Sequence, residues 1–158
     1  MEAYFDNSAT TIVTDSVKDI VVKTMTEDFG NPSAMHMVGV KAEKYIKEAQ
    51  ENIAKILKVD PKEIFFTSGG TESNNMAIIG TAMANKRKGN RIITTSVEHS
   101  SVLATMKYLE EQGFEVIYLP VDRYGVVQME ALEKEMTEDT ILVSTMYVNN
   151  EVGSVQPV

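Results

Sequence analysis

The sequence predicts an α/β fold: a largely parallel sheet with βαβ crossovers, preceded by a helical N-terminal segment. Beyond residue 60, short apolar runs alternate with helical patterns at the spacing of βαβ units. Before residue 60, apolar residues recur only at helical intervals. No internal repeat, low-complexity tract or Pro/Gly-rich linker separates the two parts. The expected organisation is an extended arm with helices over 1–60 and an α/β region over 61–158.

Tyr4 to Thr11 reads as a short extended piece leading into small polar residues. A helix is expected over 15–28, with Val17, Ile20, Val21 and Met25 on one face and Gly30 as a stop. Gly30-Asn31-Pro32-Ser33 is a turn. A second helix runs over 38–57, where Ala42, Tyr45, Ile46, Ala49, Ile53 and Leu57 keep helical spacing. Asp60-Pro61 ends it. Strands follow at 64–67, 91–95, 116–119 and 141–147, separated by helices at 72–88, 100–112 and 129–136, with right-handed crossovers expected.

The 158 residues suffice for one domain with a core. No apolar run approaches the roughly 20 residues of a membrane span. MEAYFDNSATT has neither the basic start nor the apolar run of a signal peptide, so a cytoplasmic location is expected. A net charge of −8 argues against nucleic acid or an anionic membrane as the main partner, because both reward clustered Lys and Arg. The absence of cysteine removes disulfides, thiolate metal sites and a Cys nucleophile from these residues.

Ligands of open α/β sheets sit beyond the carboxyl ends of the strands, and three such ends here are chemically unusual. Ser68-Gly69-Gly70-Thr71 joins a strand to a helix start. Its glycines let backbone approach a ligand, the helix offers free N–H groups to an anion, and Thr71 and Ser73 add hydroxyls. The plainer alternative is a turn in which Thr71 caps the helix. Ser96-Val97-Glu98-His99-Ser100 places an imidazole past the second strand, able to stack on a ring or move a proton; the alternative is a solvent-facing or capping histidine. Asn149-Asn150 is first a turn signal, and otherwise an amide for a ligand hydroxyl. His36 lacks a partner at metal-site spacing, and the methionines at 35 and 37 read as packing material. A phosphate seat, an imidazole and an amide on one rim together suit a phosphorylated aromatic ligand such as pyridoxal 5'-phosphate (PLP).

YFDNSATT, FGNPSAMHMVGVKAE, IFFTSGGTESNN, IITTSVEHSSVL and MYVNNEVGSVQPV, in this order, resemble the NifS/IscS type of cysteine desulfurase, a class V, fold-type I PLP enzyme. The resemblance runs from Tyr4 to Val158. It implies that Gly70 and Thr71 bind the cofactor phosphate, that His99 stacks on the pyridine ring and assists proton transfer, and that Asn150 contacts the ring hydroxyl. Asn7 to Thr10 become candidates for the substrate side. It further implies L-cysteine as substrate, alanine and an enzyme persulfide as products, a homodimer, and delivery to iron–sulfur cluster or thiolation pathways through a sulfur-acceptor scaffold protein.

Family chains are considerably longer. Their pyridine-nitrogen Asp, Schiff-base Lys in a Ser-x-His-Lys stretch, substrate-carboxylate Arg and sulfur-accepting Cys have no counterpart here. The twelve lysines fall on helical polar faces or turns, none at a strand's carboxyl end. The expectation is an N-terminal portion of the enzyme: the first part of its cofactor-binding large domain, inactive by itself, and associating with itself or with the missing part through an open sheet edge and an exposed apolar patch. Besides a degenerate partial chain of structural interest alone, two other readings stay open. One is a different class V enzyme, a selenocysteine lyase or an aminotransferase. The other is a non-catalytic ligand-binding α/β domain, although no P-loop or dinucleotide fingerprint is present.

Overall fold

The computed structural model describes residues 2–158. The chain divides into two compact units, Met1–Phe66 and Thr67–Val158.

The first unit holds two helices, α1 (Asp15–Thr26) and α2 (Met37–Leu57), and a 3-10 turn, Pro61–Glu63. Both helices form where the apolar spacing placed them. The apolar face of α1 is nevertheless left open, with Val17, Ile20, Val21 and Met25 all exposed. Helix α2 starts at His36, whose Nδ1 accepts the Gly39 N–H at 3.3 Å. Gly39 is required there: a Cβ would lie 2.3 Å from the Ala34 carbonyl oxygen, so only glycine lets the preceding loop close on the helix. The methionines at 35 and 37 are exposed rather than packed: Met35 lies in that loop and Met37 on the open first turn of α2. At its far end α2 stops on Lys58 in the left-handed region, φ 57. Asp60 and Glu63 then form a capping box around the 3-10 turn.

The second unit is a three-stranded parallel sheet of β1 (Arg91–Thr95), β2 (Glu115–Leu119) and β3 (Thr140–Ser144) in the order β2-β1-β3. Its helices are α3 (Gly70–Asn85), α4 (Ser100–Glu111) and α5 (Met129–Glu135). The central strand decides the layering. Ile92 faces Ile78 and Ala82 of α3 and Val102, Met106 and Leu109 of α4. Its neighbour Ile93 faces the other way, onto Leu119, Val127 and, from α5, Ala131 and Leu132. The chain moves from β1 out to β2 over one face and back past β1 to β3 over the other. Both crossovers therefore share one hand. Across the sheet's amino-terminal edge, Arg91 makes paired 2.9 Å bonds to the Glu115 carboxylate and fixes the β1–β2 register.

Two expected strands need correction. Residues 64–67 are extended but join no ladder: among the described residues nothing runs beside them, and Phe65 and Phe66 stand exposed. The last strand ends at Ser144 rather than 147. Its continuation is drawn off by other partners: the Met146 N–H bonds to a side chain, and the Tyr147 carbonyl accepts from the Gln156 N–H. Helix α3 starts at Gly70, two residues earlier than expected. Thr71 is thus inside the first turn and not the cap, which is Gly69.

Candidate functional site

All site residues singled out beyond residue 66 lie at the carboxyl side of the parallel sheet or at the helix starts that follow its strands. The α3 start has the properties of an anion seat. Gly69 and Gly70 have open space where a side chain would stand. The first N–H groups of a helix have no internal acceptor, and no side chain caps this one. Thr71 is exposed, and among the described residues its hydroxyl has no hydrogen-bond partner. Ser73 is not available in that role: its hydroxyl bonds Thr67 Oγ1 at 2.7 Å, and Thr67 in turn donates to the Gly69 carbonyl. Glu72 turns back on the entering chain and accepts from the Ser68 N–H and hydroxyl at 2.6 and 2.7 Å. These two bonds hold its carboxyl below the ordinary glutamate value. Open glycines, unpaired amides and a free hydroxyl at the positive end of a helix suit a phosphate ester such as that of PLP.

His99 and Asn150 line one cavity of about 370 Å³, within the range of small-molecule sites. His99 is the N-cap of α4, and its Nδ1 accepts the Ser101 N–H at 3.1 Å. The capping alternative holds: Nδ1 caps the helix, and the residue as a whole stays exposed, which leaves the functional alternative open. The tandem asparagines divide in the same way. Asn149 is buried. It donates to the Val97 carbonyl and accepts the N–H groups of Glu151 and Val152. The resulting tight loop needs Gly153 at φ 72. Asn150 is exposed, with its amide free at the tip of that loop.

A second cavity of about 350 Å³ shares Glu98 and His99 with the first and adds Asn74 of α3. One turn of α3 therefore separates the Gly70–Thr71 seat from a residue that lines the space around His99. Asn74 Nδ2 donates to Ser101 Oγ at 2.9 Å, and Thr105 of α4 donates to Asn75 Oδ1 at 2.6 Å. Sequence reasoning gave no role to Asn74, Ser101 or Glu98. Buried, Glu98 accepts the Thr95 hydroxyl and the Met146 N–H, both at 2.8 Å. It thereby ties the loop carrying His99 to the chain leaving β3. Among the described residues no lysine lines either cavity and no cluster of His, Cys, Asp and Glu fits a metal. Asn7 to Thr10 belong to the first unit and are exposed.

Residues 3–158 match the aminotransferase class-V family. A cysteine desulfurase, IscS 1 of Archaeoglobus fulgidus, is 48% identical over 155 residues, which are 98% of this chain and 41% of that protein. Among solved structures, a NifS-like protein superposes with a TM-score of 0.94 at 49% identity, covering 99% of this chain and 43% of its own. A second, SspA in complex with cysteine, gives 0.90 at 41% identity, covering 98% and 44%. The chain thus spans about two fifths of the length of the relatives it matches.

Proposed function

The chain belongs to the class-V aminotransferase family, and from that premise we propose that it forms the N-terminal, phosphate- and ring-holding part of a PLP-dependent cysteine desulfurase. The observation that carries this is the α3 start: two glycines facing open space, unpartnered amides and the free Thr71 hydroxyl, one turn from Asn74 in the space around His99. In this reading Gly70 and Thr71 bind the phosphate. His99 lies on the ring face and holds a proton at Nε2, and Asn150 donates to the ring hydroxyl. Asn7 to Thr10 serve the substrate side. When bound, PLP supplies the electron sink for cleavage at the substrate carbon. The cysteine-bound state of SspA favours L-cysteine as the substrate, with sulfur passed on as a persulfide to a scaffold protein for iron–sulfur clusters or thiolation. A homodimer in the cytoplasm belongs to the same proposal.

The test is turnover of L-cysteine by the complete gene product with PLP and excess dithiothreitol, which reduces the persulfide to release sulfide, scored as sulfide and alanine. Equal yields of the two support the proposal. A PLP-loaded protein that turns over only selenocysteine, or only transfers an amino group, contradicts it. The 158-residue polypeptide by itself is expected to release no sulfide, having no cysteine and no strand-end lysine.

A further inference from the structure

We propose that Asn74 and Ser101 are positioning residues that set the hydrogen bonding and orientation of the His99 imidazole; this rests on the reading of His99 as the group on the ring face. One donor in the cluster has a fixed direction. A backbone N–H only donates, so the Ser101 N–H at 3.1 Å makes His99 Nδ1 an unprotonated acceptor. A neutral imidazole then carries its proton on Nε2. Ser101 Oγ lies 2.8 Å from the same Nδ1 and must aim its hydrogen at it. Its lone pairs are left to accept, and Asn74 Nδ2 donates to them at 2.9 Å. The polarity Asn74 to Ser101 to His99 is set from end to end.

Ser101 is 8% exposed, so water competes weakly for its hydroxyl. Without the Asn74 donor, that hydroxyl is free to turn its hydrogen away, and Nδ1 keeps only the Ser101 N–H as donor. The link also joins two helices. Asn74 stands one turn beyond Gly70 on α3, and Ser101 opens α4. It therefore holds the imidazole at a set place relative to the α3 start.

The experiment is nitrogen NMR of the complete gene product, labelled at histidine, without cofactor and in alkaline buffer, with His99 and His36 assigned by substitution. His36 also accepts a capping N–H on Nδ1 but has no such relay, so it reports on the fold alone. In the unaltered protein His99 is expected to show bare Nδ1 and protonated Nε2. Asn74→Asp preserves size and replaces the donor with an acceptor, which turns the Ser101 hydroxyl around. A shift of His99 Nδ1 further from the protonated range, as it loses one of its two donors, is expected, with His36 unmoved. Asn74→Ala serves as the second variant if the first fails to fold. In a Ser101→Ala background Asn74→Asp should add nothing, whereas a through-space charge effect would persist. The proposal is overturned if either Asn74 variant leaves His99 unmoved, or if the Asp effect survives loss of Ser101. Adding PLP separates the two readings: His99 signals that respond to Asn74 but ignore PLP keep the relay and remove the ring-face role.

Discussion

Replacing each of the tandem asparagines with alanine should give opposite phenotypes. Asn149 is 7% exposed and makes three conventional hydrogen bonds, to Val97 O at 3.0 Å and from the N–H groups of Glu151 and Val152 at 2.9 Å each. At about 1 kcal/mol per bond the loss is about 3 kcal/mol. Glu151 and Val152 are exposed, so water takes over part of their bonding, leaving about 2 kcal/mol. That corresponds to a melting temperature lower by about 4–8 °C for a chain of this size. Asn150 makes no side-chain bond, and its replacement should stay within about 0.5 kcal/mol. Its effect should instead appear in PLP affinity, weakened about tenfold for the loss of one hydrogen bond. Thermal unfolding by circular dichroism and a PLP titration on the same two variants suffice. Equal destabilisation by both, or a larger loss from Asn150→Ala, would refute the division of labour.

Three further outcomes are expected. Thr71→Ala should leave stability within about 0.5 kcal/mol. It should weaken PLP binding about 10- to 100-fold, the worth of one hydrogen bond to a charged group, read by fluorescence titration. Glu72 has its folded pKa lowered by the Ser68 N–H and then the Ser68 hydroxyl, so its stabilising contribution is present above the unfolded value of about 4.3 and is lost as pH falls through the folded one. Denaturation of the protein and its Glu72→Gln variant should therefore differ steadily near neutrality and converge in acid. Lys58→Gly should stabilise the end of α2 by about 1 kcal/mol, since φ 57 penalises any side chain there; a loss in urea unfolding would contradict it.

The parallel sheet and its helices were readable because a buried strand and a crossover helix write their burial into spacing. The expected strand at 91–95 coincides with β1. The segment at 64–67 has the same apolar signature, yet a strand also needs a neighbour, and spacing does not name one. The overrun past Ser144 has a related cause. Thr145-Met146-Tyr147 looks like strand, but the Met146 N–H is claimed by Glu98, 48 positions earlier. Within the site, the residues at strand ends could be found from position alone. Glu98, Asn74 and Ser101 could not, because each acts on a group that only folding brings near; Asn149 was readable as a turn residue, but its bond to the Val97 carbonyl was not. One signal was available for Asn74: two asparagines early in a helix are poor formers, which points to side-chain bonds such as those they make to Ser101 and Thr105.

The measurement closest to the central claim is a crystal structure of the complete gene product grown with PLP. The account predicts phosphate oxygens about 3 Å from the Gly70 and Thr71 amides and the Thr71 hydroxyl, with the ring against the His99 imidazole and the Asn150 amide at the ring hydroxyl. A phosphate bound away from the α3 start, or a ring that does not touch His99, would contradict it.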